Sequence, residues 1–404
     1  MVTTFYPPYN FGGDGIFVQR LTHALAERGH KVTVVHCADA YQFLGNSKSP
    51  PDVEHPPNVE VHTLHSGTGM VSPLVTHQLG VPGLKSAALR RILEGSDFDV
   101  IHFHNVSLIG GHGVLAYGKG IKLYTAHEYW LVCPLSTLWQ FQSKPCTKKR
   151  CVSCTLNAGK PPQWWRYTGN LARNLAHVDA LIAPSRFAIE KHREMGLDAD
   201  FVHLPNFLPL AKPTPDANTA GHVQSRPFFL IAGRLEKSKG VQQAIEVFKQ
   251  FDAADLLIVG TGQYEQELRD MARGADHIRF EGHVSYKALS SLYKQAVATI
   301  VPSIWYEPFG LIVIESFAQS TPVLVNNAGA PPELVRDSGG GLVFNNAEEL
   351  RAALEQLLSD PAMRNDLGER GLAAYLAKWT EEQHLEQYFQ LIQSRMHSNA
   401  QDSS

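Results

Sequence analysis

Residues 303–320 read Ser-Ile-Trp-Tyr-Glu-Pro-Phe-Gly-Leu-Ile-Val-Ile-Glu-Ser-Phe-Ala-Gln-Ser, and their order predicts a strand, a loop and a helix that faces a ligand. The apolar run at 298–301 has the pattern of a buried strand. A helix is expected to begin near Pro308, where the missing N–H costs nothing. Glu307 then stands just ahead of the helix and Glu315 inside it. The free N–H groups of Phe309, Gly310 and Leu311 would point out of the helix N-terminus with the positive end of the macrodipole behind them, a ready anion site. Gly310 lets a ligand come close. Two glutamates eight apart are by themselves a surface residue and a solvated helix residue. Here the apolar run 311–314 implies a helix packed on more than one face, so the polar groups at its mouth have little structural reason to be there.

The surrounding half repeats the same kind of unit. Residues 228–232 form a strand in pattern, and Gly233-Arg234-Leu235-Glu236-Lys237-Ser238-Lys239-Gly240 is the loop after it. An arginine and a lysine five apart in a glycine-bounded loop at a strand's carboxyl end suit a diphosphate, the arginine through its planar fork and the lysine as a point charge. A solvated basic turn is the ordinary alternative for such a loop. Strands at 255–259, 278–281 and 322–325 and helices at 264–273, 348–358 and 361–378 continue the alternation. Thr380 and Gln383 form a capping box for a last helix at 381–396.

The first half opens as a βαβ unit: a strand end at 1–6, a loop with Gly12-Gly13, a helix at 16–28 closed by Gly29, and a strand at 31–37. Residues 40–96, with prolines at 50, 51, 56 and 57, predict loops and a helix near 83–94. Asp97-Phe98-Asp99 matches an Asp-x-Asp metal motif, but it leads straight into the strand 100–104 and reads as an ordinary strand boundary. His102 and His104 would share one face of that strand at its carboxyl end, where open α/β sheets bind ligands. The strand 121–126 ends in His127-Glu128, and Ser185 is placed to cap a helix at 186–195. The expected architecture is α/β: two doubly wound Rossmann-like domains facing a cleft. They would occupy 1–205 and 228–379, joined by a proline-rich linker at 206–227, with 380–404 crossing back to the first.

Glu307-Pro308-Phe309-Gly310-Leu311 followed by Glu315 resembles the signature of the retaining glycosyltransferases of family 4, the glycogen-synthase and sucrose-synthase-like group with the GT-B fold. The resemblance implies that Glu307 lies by the donor sugar, that the amides of Phe309, Gly310 and Leu311 hold its hydroxyls, and that Glu315 bonds the nucleotide ribose. It extends to Gly13, in a glycine loop against the donor diphosphate, and to His127, which would reach the sugar near the reacting carbon. Gly-Arg-Leu…Lys-Gly likewise resembles the family's diphosphate grip at Arg234 and Lys239, and Val284 falls where the family reads the base through backbone groups. Gly329-Ala330-Pro331-Pro332-Glu333 departs from the family's usual Gly-Gly before Pro-Glu, and relatives carry a few more apolar residues ahead of the first strand, so that strand is expected to be clipped or preceded by more chain. The implied reaction moves a sugar from a UDP- or GDP-linked donor to a hydroxyl acceptor without a catalytic metal.

Cys133, Cys146, Cys151 and Cys154 form Cys-x12-Cys-x4-Cys-x2-Cys, with Cys37 outside the cluster. Four thiolates suit a structural zinc, less well an iron–sulfur cluster, or they are free thiols in an exposed loop. Lys144, Lys148, Lys149 and Arg150 are expected to favour the thiolate, and the tryptophan-rich loop to shape the acceptor site. A net charge of −3 over 404 residues gives no bulk case for nucleic acid. No apolar run approaches the ~20 residues of a membrane span, and no export signal is evident, which points to a cytoplasmic protein, with peripheral membrane contact through a lipid-linked acceptor as a further expectation. Three other readings compete: a nucleotide-sugar 2-epimerase on the same fold, a glycoside hydrolase using Glu307 and Glu315, and a sensor that binds the donor without turnover. The hydrolase has no use for a diphosphate grip.

Overall fold

The computed structural model describes residues 1–44, 53–210 and 226–402. In the second half, six parallel strands stand in the order Ile278–Gly282, Asp255–Val259, Phe228–Ala232, Thr299–Val301, Val323–Asn326, Gly341–Phe344. The order reverses between Phe228–Ala232 and Thr299–Val301, and the crevice of a doubly wound sheet opens at such a switch point. Strands buried along their whole length, as Phe228–Ala232 and Asp255–Val259 are, need helices on both faces, and those supply the core around Phe229, Ile245, Phe248, Leu324 and Leu354.

The first half follows the same plan. Val59–Leu64 pairs with Val32–Cys37, and Val100–Phe103, Ile121–Thr125, Ala180–Ala183 and Phe201–His203 form a second parallel set. The first residues join the two sets: Val2 bridges to Val35 on one side and to Phe103 on the other, and its carbonyl accepts the N–H of His104 at 2.9 Å. The strand expected at 1–6 is thus reduced to bridge contacts at Val2. The switch point here lies between Val2 and Val100–Phe103, so the glycine loop and His104 leave the sheet side by side.

Several expectations are corrected. The helix of the central turn spans Leu311–Phe317 and starts after Phe309 and Gly310. Gly310 has φ 118°, outside the right-handed helical region, and Phe309 turns its ring into the core with Val301, Val313 and Leu334. The described residues between 38 and 96 are more regular than expected. They contain Ala38–Phe43, Val59–Leu64, Val71–Leu79 and Ser86–Leu93, the last preceded by a separate turn at Gly83–Lys85. Residues 50 and 51 and most of the expected linker, 211–225, lie outside the described residues. On either side of that linker the chain is anchored: the N–H of Leu208 donates to the Trp379 carbonyl at 2.9 Å, and Tyr375 Oη donates to the Leu208 carbonyl at 3.0 Å. The last helix, Glu381–Asp402, then lies on the first half, burying Leu385, Tyr388, Leu391 and Ile392 among Tyr6, Phe17, Leu21 and Val34.

Candidate active site

Loops from adjacent strands converge at the second switch point. Gly240, at φ 71°, closes the loop after Phe228–Ala232, and a Cβ there would stand 1.9 Å from the Pro302 carbonyl oxygen. Only glycine lets that loop meet the loop ending Thr299–Val301. The contact brings Lys239 to Glu307: Lys239 Nζ donates to Glu307 Oε1 at 2.7 Å, and Ser303 Oγ donates to the same oxygen. Glu307 is 7 % exposed. Burial pushes its carboxyl up, but the Lys239 ammonium and these hydrogen bonds outweigh burial and hold it below the usual glutamate range. Gly329 is fitted from the other side, since a Cβ there would lie 2.5 Å from the Glu307 nitrogen. Gly233, Arg234, Lys239, Ser303, Glu307 and Ile312 line one cavity of ≈300 Å³.

Arg234 is half-exposed and paired with Glu236 at 2.8 Å, an exposed contact that holds its fork only weakly. The glycine loop of the first half lies over it: a Cβ on Gly12 would come 3.9 Å from the Arg234 guanidinium carbon, and one on Gly13 3.1 Å from Leu311 Cδ1. Gly13 is the first residue of the helix Gly13–Glu27, one turn earlier than expected. Glu315 sits in Leu311–Phe317, where Tyr293 Oη donates to its Oε2 at 3.2 Å and Arg20 of the first half stands 3.8 Å from Oε1. Burial raises its carboxyl, with Arg20 opposing. Val284 is farther out, half-buried beyond the edge strand Ile278–Gly282, with its side chain against the cluster of Leu257, Val259 and Leu292.

His127 follows Ile121–Thr125 and shares a hydrogen bond with His104, Nε2 to Nδ1 at 3.0 Å, the rings inclined by 19°. His102 and His104 share one face as expected, their centroids 4.0 Å apart, and His102 is further bonded to Thr125 and Tyr388. Burial lowers His127 to about 3, so the ring is neutral at pH 7, with a donor and an acceptor nitrogen. Glu128 beside it is pushed up to about 8 by burial and by the charge of Asp14.

The four clustered cysteines line a second cavity of ≈330 Å³, Cys133 and Cys146 buried and Cys151 and Cys154 half-buried. The expected thiolate character is not found. Burial is the larger influence and raises the thiols of Cys133, Cys146 (to about 11) and Cys151, while Lys149 and Arg166 oppose it only in part. Among the described residues no three His, Cys, Asp or Glu side chains are placed to share a metal ion.

Sequence reasoning missed the contacts that join the two halves. Ser185 Oγ caps its own helix and also donates to the Pro308 carbonyl at 2.6 Å. Glu333, 5 % exposed, accepts the N–H groups of Arg186 and Phe187 at 3.1 and 2.9 Å, capping Arg186–Glu194 from across the cleft. Within the first half, Asp14 accepts from Asn105 Nδ2 at 3.3 Å. The local signals were a capping serine and a glutamate after two prolines, neither of which names a partner over 100 residues away.

Comparison with known proteins identifies the family. The family model described as Glycosyltransferase Family 4 matches residues 11–212, and that described as Glycosyl transferases group 1 matches 216–373. An uncharacterized glycosyltransferase of Methanocaldococcus jannaschii is 32 % identical over 394 residues, 90 % of each chain. Sucrose-phosphate synthase from Thermosynechococcus elongatus shares the fold at TM-score 0.77 and 21 % identity, covering 98 % of both chains. So does the Anabaena protein HepE, solved with UDP-glucose, at TM-score 0.67 and 17 % identity over 97 % of this chain and 99 % of that one. The chain belongs to glycosyltransferase family 4 and is a nucleotide-sugar-dependent glycosyltransferase of the GT-B fold.

Proposed function

We propose that this glycosyltransferase is a retaining enzyme that takes a UDP- or GDP-linked sugar in the cavity of Arg234, Lys239 and Glu307 and passes it to a hydroxyl of a glycan or lipid-linked acceptor in polysaccharide biosynthesis, in the cytoplasm. The observation that carries this reading is the Lys239–Glu307 pair at the switch point under the glycine loop. A lysine has three donors, so one bond to Glu307 leaves two for phosphate oxygens. With Arg234 it would stabilise the leaving diphosphate without a metal, as positive charge preorganised where negative charge develops. Glu307, Gly310 and the neutral His127 would orient the sugar, Glu315 would hold the ribose, Val284 the base, and Gly13 would admit the diphosphate. The bond from the anomeric carbon to the donor oxygen breaks as the acceptor oxygen attacks the same face. The departing phosphate takes the acceptor's proton.

A panel of nucleotide sugars, assayed for nucleoside diphosphate release with and without acceptor and with a chelator present, tests the reading. One donor should turn over, Glu307→Gln should lose at least about a hundredfold in kcat, and the product should keep the donor's anomeric configuration. Turnover that interconverts the donor sugar without an acceptor would mean a 2-epimerase; tight binding with no turnover would mean a sensor. For the four cysteines we propose a structural zinc, because four soft sulfurs line one cavity and a metal would itself displace their protons. Metal analysis should find one zinc per chain. Peripheral contact with a membrane belongs to the same reading, through a lipid-linked acceptor.

A further inference from the structure

Two stretches of the first half, residues 61–93 and 129–178, hold no aspartate or glutamate and carry ten of the chain's 36 lysines and arginines. The other 26 basic residues share the remaining chain with all 39 acidic ones, so the net charge of −3 divides into +10 on these stretches and −13 elsewhere. The fold brings the two together: Trp165 Nε1 donates to the His77 carbonyl at 3.1 Å, and a Cβ on Gly80 would lie 2.9 Å from the Trp165 ring. Lys160 is close enough to His77 to depress its protonation further, behind burial. Lys144, Lys148, Lys149, Arg150 and Lys160 are all exposed.

The same stretches hold nine of the fourteen large apolar side chains exposed among the described residues. Met70, Leu74, Leu79 and Leu84 stand on and around the helix Val71–Leu79, between 42 % and 63 % exposed, and Trp164 and Tyr167 stand beside Trp165 at 63 % and 64 %. Lys85 is buried against Ser72 and Thr76, Arg90 pairs with Glu94, and Arg166 lies over Trp165, which leaves Lys160 as the exposed cation placed beside this helix. Single exposed apolar residues need no explanation, but a cluster beside an exposed cation does. A nucleic acid would use the cations and leave the leucines in water. A peptide would want a groove, whereas these six side chains line neither cavity described above and sit on a helix and two turns. Tryptophan and tyrosine beside leucine, with an exposed lysine close by, are the chemistry of a headgroup interface.

We propose that this face docks on an anionic lipid surface, its apolar side chains entering among the headgroups while the exposed Lys160 beside them meets lipid phosphate. The proposal deepens the reading of a membrane-bound acceptor and sets which side of the enzyme would meet it. It is tested with the full chain, sedimented with vesicles of phosphatidylcholine alone or mixed equally with phosphatidylglycerol. The protein should pellet with the anionic vesicles only, and less so as salt is raised. Leu74→Ser with Trp164→Ser should weaken that partitioning about tenfold or more, and Lys160→Glu about fivefold or more, each at an unchanged thermal midpoint. Failure to pellet with anionic vesicles at low salt would overturn the proposal. So would a Leu74→Ser, Trp164→Ser variant that pellets like the wild type, which would mark a general polyanion surface. Neither result touches donor turnover, which the assay does not use.

Discussion

Glu307 and Lys239 form a close ion pair within the candidate site. A carboxylate this enclosed is tolerable only because an ammonium and a hydroxyl meet it. Lys239→Met should therefore cost about 3–5 kcal/mol, read by chemical denaturation, and much less in a Glu307→Gln background, where no charge is stranded. The sign of the pH dependence follows from the depressed native pKa of Glu307. The unfolded carboxyl takes up a proton first on acidification, so the stabilisation is full above about pH 4.5 and is lost as pH falls through the native value. Denaturation midpoints measured down through that window should drop more steeply for the wild type than for Glu307→Gln. Parallel curves would mean that Lys239 does not hold Glu307 ionised. Of the residues that the resemblance singles out, the fold brings the loops of Arg234, Lys239, Glu307 and Gly13 together, and His127 follows the strand Ile121–Thr125 as its place in the sequence implies. His104 is legible as a ligand-facing candidate, but its bond to His127 is not, because it joins two strands whose register no short motif encodes.

Elements built on strict apolar runs, such as Phe228–Ala232 and Asp255–Val259, are legible to the residue, and so is Pro361–Lys378, which opens on a proline. Those governed by tertiary contact are not. Val59–Leu64 is an edge strand with mixed exposure, so its alternation is faint. The start of Leu311–Phe317 was misplaced because proline at a helix start is a local rule, and here a buried phenylalanine and a left-handed glycine overrule it. Glycine conformation also decides whether the site's loops can meet. Gly240→Ala would force a methyl into the Pro302 carbonyl at a backbone angle that disfavours side chains. It should lower stability by about 1–3 kcal/mol and weaken donor binding together, read by a thermal melt and by titration. An alanine variant with unchanged melting and donor affinity would show that the two loops need not touch.

At the scale of the whole molecule, several groups hold the halves across the cleft, Arg186 with Asp337 and Arg20 with Glu315 among them. Glu333 caps a helix of the opposite half, Ser185 reaches the Pro308 carbonyl, and Glu381–Asp402 returns to the first core. Glu333→Gln removes the charge from two hydrogen bonds to backbone N–H groups, which should cost about 1.5–3 kcal/mol of closure. Small-angle scattering should then find a larger radius of gyration in the absence of donor; an unchanged radius would assign closure to other contacts. The central claim is that the cleft grips a nucleoside diphosphate sugar through Arg234 and Lys239 beside Glu307. The measurement that tests it most directly is calorimetric titration of the folded chain with UDP- and GDP-sugars, on the wild type and on Arg234→Ala. One donor should saturate the wild type, stabilising it by ~2.7 kcal/mol at one hundred times its dissociation constant, and Arg234→Ala should bind it at least about tenfold more weakly. A folded wild type that binds no nucleotide sugar, or an Arg234→Ala variant that binds as tightly as the wild type, would contradict it.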